Sequence, residues 1–320
     1  MIIDVHSHVL LDVDDGWMAK SGMLRPLGDG NALLQIRGIP MIAAEDLLSP
    51  EKQAHEAELA GLSLRIISSV EAIHLLSTCA GRQTLDVARR TNDAMAKLVH
   101  ENHGRLIAMA SVNPFEGSHV SELERAVDQL GLKGVCIPTS WDRLYLDSNL
   151  ALPFFECAQA LELAVFVHPP LLPIGYDAME EYRLAEVVGR VFDTTLSIAR
   201  MIYAGIFDRF PKLKVIVPHM GAGLMGVMGR LDMGYRLGYQ GHAAYQAAAC
   251  ERKPSEYLDN LYVDTMGFWP SMMKQLLEVF GADRILFGSD YPAVAISPTE
   301  HITLIESLQL SDFEKNAIFH

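Results

Sequence analysis

Eight short apolar segments alternate with segments of helical character along this 320-residue chain, and no other feature constrains the fold as much. Such alternation predicts parallel strands, because a helix between two strands returns the chain to the same end of the sheet. We therefore predict an α/β protein, a (β/α)8 TIM barrel, in one domain that covers residues 1–320. A stretch without a clear period, about residues 9–48, is predicted to be an insertion after the first strand. The predicted strands cover residues 2–5, 64–70, 105–112, 134–138, 164–167, 213–218, 261–264 and 284–288.

Charge and cysteine content narrow the class of partner. The chain has 26 Lys and Arg against 40 Asp and Glu, a net charge of -14, which argues against nucleic acid. The four cysteines are widely spaced without a C-x-x-C pair, which is typical of reduced thiols in a cytoplasmic protein. Strand-like sequence begins at Ile2, so no signal peptide is predicted, and no apolar run approaches the ~20 residues of a membrane helix. An anionic small molecule remains compatible with this composition, because a site can be locally basic.

Residues that can bind a metal follow four of the predicted strands. His6 and His8 come at the end of the first strand with one residue between them, and alternate side chains of an extended segment point to the same face. Alone, this pair is equally compatible with two solvated histidines. His168 follows the fifth strand, His219 the sixth and Asp290 the eighth. Since active sites of α/β barrels lie at the carboxyl ends of the strands, the five residues together predict a zinc-type metal site at that rim.

Six stretches spread along the chain match a known family in its own order. They are IDVHSH at residues 3–8, ASVNP at 110–114, GLKGV at 131–135, FVHP at 166–169, GIFDRFPKLK at 205–214 and ILFGSDYP at 285–292. With these stretches the chain resembles the amidohydrolase superfamily. The resemblance is to its amidohydrolase-2 branch, which holds aminocarboxymuconate-semialdehyde decarboxylases and related aromatic-acid decarboxylases. The set is specific, although no single stretch is.

The resemblance implies a role for each of the five rim residues. One divalent metal ion, zinc or alternatively manganese, is expected on His6, His8, His168 and Asp290. His219 is then the acid–base residue beside the metal. Asp290 is expected to take part in catalysis as well, because its carboxylate can also accept a hydrogen bond from a water molecule.

The chain departs from the family pattern at three places near the expected site. Binuclear members carry a bridging lysine at the end of strand four, whereas Lys133 precedes that strand here, which favours a single metal. The family usually shows HGGG after strand six, and this chain has HMGAG at residues 219–223. Pro170 stands where relatives often have tryptophan. The last two departures bear on the substrate and leave its identity open.

The predicted activity is the metal-dependent, non-oxidative decarboxylation of a small unsaturated or aromatic carboxylic acid. A metal-dependent hydrolase of a carbon–carbon, ester or amide bond is the alternative, because the same ligands serve both reactions. A non-catalytic barrel that keeps the metal for stability is a third hypothesis, which the intact set of five rim residues disfavours.

The resemblance also implies two arginines that bind the substrate carboxylate. Arg37 lies in the insertion, and Arg230 lies eleven residues beyond His219. A guanidinium group suits this task because its planar fork can donate two parallel hydrogen bonds to a carboxylate. In relatives the second arginine comes from a neighbouring subunit, so a homodimer is expected. A structural salt bridge is the alternative role for both arginines.

Overall fold

The computed structural model describes residues 1–11, 18, 22–36, 39–71, 73, 82–102, 104–141, 143–237, 247–267, 269–294 and 296–320. Its strands are β1 (Ile3–Val9), β2 (Leu24–Pro26), β3 (Ala32–Ile36), β4 (Ile39–Ala43), β5 (Leu64–Ser69), β6 (Leu106–Ala108), β7 (Ala110–Ser111), β8 (Val135–Pro138), β9 (Ser140–Trp141), β10 (Leu144–Tyr145), β11 (Ala164–His168), β12 (Lys214–Val217), β13 (Leu261–Asp264) and β14 (Ile285–Leu286).

The helices of the described part alternate with the parallel strands, as the sequence predicts. They are α1 (Glu45–Leu48), α2 (Pro50–Leu59), α3 (Arg82–Glu101), α4 (Val120–Asp128), α5 (Leu152–Ala160), α6 (Arg190–Tyr203), α7 (Ile206–Arg209), α8 (Pro218–Gly221), α9 (Leu224–Leu237), α10 (Pro270–Phe280), α11 (Pro298–Ser307) and α12 (Asp312–Phe319).

Local sequence explains where individual helices begin. At α2 the Ser49 hydroxyl accepts a hydrogen bond from the backbone N–H of Lys52, and Pro50 takes the first helical position. At α11 Ser297 and Glu300 form a reciprocal capping box. Serine followed by proline at residues 49–50, and again at residues 297–298, predicts a helix start from the sequence, and both starts are confirmed.

Two parallel sheets form the centre of the molecule. Strands β14, β13, β12, β11, β8 and β7 pair in that order, and β1, β5 and β6 pair in a second sheet. Backbone hydrogen bonds connect the two sheets at both ends. Val5 N–H donates to the Phe287 carbonyl at 2.9 Å, and Met109 N–H donates to the Ile67 carbonyl at 3.0 Å. The carboxyl ends of these strands consequently lie at one common edge.

Alternate residues of the parallel strands belong to two different hydrophobic clusters. Val165 and Val167 of β11 pack in the main core, which also receives the helices, whereas Phe166 belongs to a smaller inner cluster with Cys136 and Ile216. This alternation follows from the two-residue period of a strand. His168 is two residues beyond Phe166, so its side chain lies on the inner face, at the carboxyl end of the strand.

A small antiparallel sheet lies within the predicted insertion. Strands β2, β3 and β4 pair in sequence order. Their buried residues, with Leu10, Leu47, Val70 and Leu171, form a separate hydrophobic cluster. This cluster places β4 and α1 beside the carboxyl end of β1.

Within the described residues, no helix is long and apolar enough to cross a membrane.

Candidate metal centre

The two histidines of β1 direct their Nε2 atoms toward each other because both Nδ1 atoms are fixed by hydrogen bonds. The Nδ1 of His6 donates to Asp264 Oδ2 at 2.6 Å, and the Nδ1 of His8 donates to the Ser68 hydroxyl at 2.9 Å. Both residues are buried, and their Nε2 atoms lie 3.1 Å apart. A proton on Nδ1 leaves the Nε2 lone pair available as a metal ligand.

His168 and Asp290 complete this group from two other strands. His168 ends β11, and its Nδ1 donates to the Pro169 carbonyl at 2.9 Å, which turns Nε2 toward the β1 histidines. Asp290 follows β14 with a left-handed φ of 56°, and its backbone N–H donates to the His6 carbonyl at 2.7 Å. Its Oδ1 lies 2.9 Å from His8 Nε2 and 3.3 Å from His6 Nε2.

The four residues fit a divalent metal ion. Their ligand atoms all lie within 4.8 Å of one another. Two atoms bound to one ion at roughly 2.0–2.2 Å lie about 2.8–3.6 Å apart at ordinary coordination angles. The separations of 2.9, 3.1 and 3.3 Å among the ligand atoms of His6, His8 and Asp290 fall within that range. Three imidazoles and one carboxylate are a ligand set that zinc and manganese both accept.

Burial and neighbouring charges set the protonation of the four residues. Burial lowers the pKa of His8, and burial with the adjacent histidines holds the pKa of His168 well below its usual value. Burial also opposes protonation of His6, but the carboxylates of Asp290 and Asp264 outweigh it and raise the pKa of His6 to about 10. Burial would raise the pKa of Asp290, but the surrounding imidazoles, His6 foremost, hold it well below its usual range. An ionised carboxylate and neutral imidazoles are the states that metal binding requires, so a metal ion displaces the His6 proton.

His219 lies beside this group in a sharp turn after β12. Its Nε2 is 3.7 Å from Asp290 Oδ2, and its side chain is 13% exposed. His219 and Met220 have left-handed φ values of 58° and 56°, which are unfavourable for residues with a side chain. The Met220 N–H donates to Asp264 Oδ1 at 3.0 Å, which helps to hold the turn. His219 therefore lies beside the four metal-binding residues and also lines the cavity next to them.

A cavity of about 560 Å³ opens above the four residues. His8, His168, His219 and Asp290 are among the residues that line it. Much of the remaining wall is apolar and comes from β4, α1 and the segments after β5 and β11, with Met41, Ile42, Leu47, Val70, Ile73 and Leu171 among its residues. This volume accommodates a small aromatic or unsaturated acid.

Of the two arginines expected to bind a carboxylate, Arg230 can be placed relative to this cavity. Arg37 lies outside the described residues. Arg230 is exposed on α9 and is absent from the described cavity wall. A role for Arg230 in the site of a second subunit remains a prediction.

The family model described as amidohydrolase matches residues 3–320 of the chain. The chain belongs to the amidohydrolase family. The resemblance seen in the sequence motifs is therefore confirmed, and it extends over the whole of the described site.

Two curated relatives of this amidohydrolase are decarboxylases. The chain is 33% identical over 213 residues to 2-amino-3-carboxymuconate-6-semialdehyde decarboxylase of Dictyostelium discoideum, covering 66% of this chain and 58% of the relative. It is 31% identical over 242 residues to gamma-resorcylate decarboxylase of Polaromonas sp., covering 71% of this chain and 72% of the relative. The first match thus spans less than two thirds of the relative's length.

A solved structure shares the fold of this amidohydrolase. It is 5-carboxyvanillate decarboxylase of Novosphingobium aromaticivorans complexed with manganese and 4-hydroxy-3-methoxy-5-nitrobenzoic acid. The TM-score is 0.85 at 21% identity, over all of this chain and 94% of that chain.

One residue of the amidohydrolase site escaped the sequence analysis. Asp264 is the last residue of β13 and is fully buried, and its carboxylate orients both His6 and the Met220 backbone. The sequence carried a signal for it, because an acidic residue that ends the seventh predicted strand lies at the same rim as the metal-binding residues.

Proposed function

We propose that this amidohydrolase is a metal-dependent decarboxylase of a small aromatic or unsaturated carboxylic acid. The observation that carries the proposal is the buried group of His6, His8, His168 and Asp290 at the floor of the cavity, with His219 beside it. The names of the two curated relatives and of the solved neighbour support decarboxylation over hydrolysis.

A bound divalent metal would act as a Lewis acid toward a substrate oxygen. His6, His8, His168 and Asp290 would hold it. Zinc is the first expectation for the ion, and the manganese of the solved neighbour supports the alternative. Because metal availability and site geometry, and not affinity alone, determine which ion a site holds in the cell, the metal content of the purified protein identifies the ion.

The remaining chemistry belongs to His219 and the cavity wall. In the reaction the carbon–carbon bond to the carboxylate breaks, carbon dioxide leaves, and the electron pair remains on the substrate carbon. That carbon takes a proton, so the product carries hydrogen where the substrate carried the carboxylate. We assign the donation of this proton to protonated His219, whose imidazole faces the cavity. The apolar wall keeps water from the carbon at which charge develops.

The same proposal includes the architecture and the setting of the enzyme. We infer that the parallel strands close into an eight-stranded barrel, since backbone hydrogen bonds connect both ends of the two sheets. We infer a single domain over residues 1–320, with the insertion at about residues 9–48 forming one wall of the cavity. A cytoplasmic location and a homodimer completed by Arg230, with Arg37 from the insertion also binding the substrate, remain predictions from the sequence.

Carbon dioxide release tests the function directly. The purified chain is analysed for metal, loaded with zinc or manganese, and incubated with hydroxybenzoic, methoxybenzoic and muconic-type acids. We expect one metal ion per chain and metal-dependent release of carbon dioxide from at least one acid. Two ions per chain, or turnover of esters and amides without carbon dioxide release from any acid, would contradict the proposal and favour the hydrolase alternative.

A further inference from the structure

Arg190, the first residue of α6, lines the cavity together with the metal-binding residues. Its Nε atom is buried and has no hydrogen-bond partner among the residues that the structure describes. No carboxylate of the described ranges forms an ion pair with its guanidinium group. A guanidinium remains protonated at neutral pH, so Arg190 brings to the cavity wall a positive charge that no described residue pairs with.

The two carboxylates that attract Arg190 electrostatically already interact with other residues. Glu186 attracts Arg190, but its two oxygens accept hydrogen bonds from the exposed Arg183 at 2.7 and 2.9 Å. Asp290 also attracts it, but the Asp290 carboxylate lies among the imidazoles of the metal-binding group. Burial lowers the pKa of Arg190, and Arg183 lowers it further by repulsion. A largely buried charge without a counterion is costly, and a bound anion would remove that cost.

The backbone immediately before Arg190 forms a rare type of helical turn. A π-helical turn, Ala185–Gly189, leads directly into α6, and π-helical turns are frequent at functional sites. A Cβ atom at Gly189 would lie 2.7 Å from Pro173 Cγ and 2.8 Å from Met179 Cε, so only glycine allows this turn to pack so closely on the segment after β11. The close packing fixes the position from which the Arg190 side chain enters the cavity wall.

Reaction chemistry indicates which anion Arg190 would bind. A forked interaction with the carboxylate that is lost would stabilise the substrate more than the transition state, and it would slow the reaction. An interaction with a group that the product retains carries no such penalty and orients the substrate. We propose that Arg190 binds a second anionic group of the substrate, one that remains after decarboxylation, so that acids with two oxyanion groups are the preferred substrates. The statement that this group is retained rests on the proposed function; the binding itself does not.

Binding measurements with simple aromatic acids test the proposal without turnover. Benzoate, phthalate, isophthalate and terephthalate are titrated by calorimetry into the metal-loaded wild-type chain and into Arg190→Met. We expect at least one of the three dicarboxylates to bind wild type roughly 10- to 100-fold more tightly than benzoate, the size of a charge-assisted hydrogen bond. In Arg190→Met this preference should disappear, while benzoate affinity changes little.

The control is Arg200→Met on the same helix, which removes an arginine that pairs with Asp147 and does not line the described cavity. This variant should keep the preference for the dicarboxylate. Arg190→Gln, which retains polarity without charge, replaces the methionine variant if that variant does not fold, and the same loss is expected. A wild type that binds no dicarboxylate more tightly than benzoate, or an Arg190 variant with normal metal content and an unchanged preference, overturns the proposal.

The outcome separates this inference from the proposed function. If wild type releases no carbon dioxide from any acid but the dicarboxylate preference depends on Arg190, the anion site stands and the proposed function fails. If carbon dioxide is released and the preference survives in Arg190→Met, the proposed function stands and the anion site fails.

Discussion

Replacing Asp264 with asparagine should weaken metal binding although Asp264 touches no metal. Its Oδ2 accepts from His6 Nδ1 at 2.6 Å, and its Oδ1 accepts from the backbone N–H groups of Met220 at 3.0 Å and Met266 at 3.1 Å. Asparagine offers one acceptor oxygen instead of two. If that oxygen serves the two backbone donors, the amide NH2 group faces His6 Nδ1, and the His6 proton moves to Nε2. A protonated Nε2 cannot bind the metal.

The size of this effect can be judged from other residues that hydrogen-bond to a metal ligand without binding the metal themselves. Removal of the residue that orients a metal-bound histidine typically costs 10- to 100-fold in metal affinity, or about 1.4–2.7 kcal/mol. Because Met220 adjoins His219, the substitution should also lower turnover of the metal-saturated enzyme. The measurement is a metal titration against a competing chelator, followed by carbon dioxide release at saturating metal.

A matched variant separates metal binding from general stability. Asp208 also accepts hydrogen bonds through both oxygens, from the Tyr257 hydroxyl at 2.6 and 2.7 Å and from the Glu251 N–H at 3.0 Å, but it does not line the described cavity. Asp208→Asn should lower the thermal midpoint and leave metal affinity unchanged. If Asp264→Asn binds metal within about twofold of wild type, or Asp208→Asn weakens it equally, the reasoning about His6 is refuted.

Three further experiments test other parts of the site. His219→Asn should keep the metal and lose roughly 10²- to 10⁴-fold in turnover, as is usual for a general acid; loss of the metal would make His219 a ligand instead. Gly288→Ala places a Cβ atom 2.9 Å from His6 Cβ and 3.0 Å from Asp264 Cβ, so metal affinity should fall and stability should drop by about 1–3 kcal/mol; an unchanged metal titration and thermal midpoint would contradict this. Mixing His219→Ala with Arg230→Ala under subunit exchange should restore part of the activity if Arg230 acts across a dimer; no recovery despite demonstrated exchange would exclude a shared site.

The rim residues were predictable because two simple periodicities place them. The alternation of strands and helices puts strand ends at one edge, and the two-residue period of β1 puts His6 and His8 on one face. The structure brings these residues together with His168 and Asp290. The strand bounds were less accurate: the predicted third strand is divided at Met109 into β6 and β7, and the eighth is shortened to β14.

The position of Arg190 at the cavity could not be predicted from the sequence, for a physical reason. The segment between His168 and α6 is built from 3₁₀ turns, a π-helical turn and left-handed residues such as Tyr182, and none of these has a hydrophobic period. The sequence therefore predicts a helix only from about Asp193, three residues after the start of α6, and assigns no element to Arg190. Its side-chain position depends on tertiary packing around Gly189, which no local pattern reports. The antiparallel sheet of β2, β3 and β4 escaped for a similar reason, since its strands are short.

The metal-binding group joins residues that lie far apart in the sequence, and this determines when it can form. His6 and His8 leave the ribosome before Asp290, which at about 5–20 residues per second follows them roughly 15–60 s later. The two histidines therefore spend that interval without their carboxylate partner, and tight metal binding follows only after Asp290 has been synthesised. Once captured, an ion at a hundred times its dissociation constant stabilises the whole folded chain by about 2.7 kcal/mol. The bound metal would then support the stability of the folded protein as well as its activity.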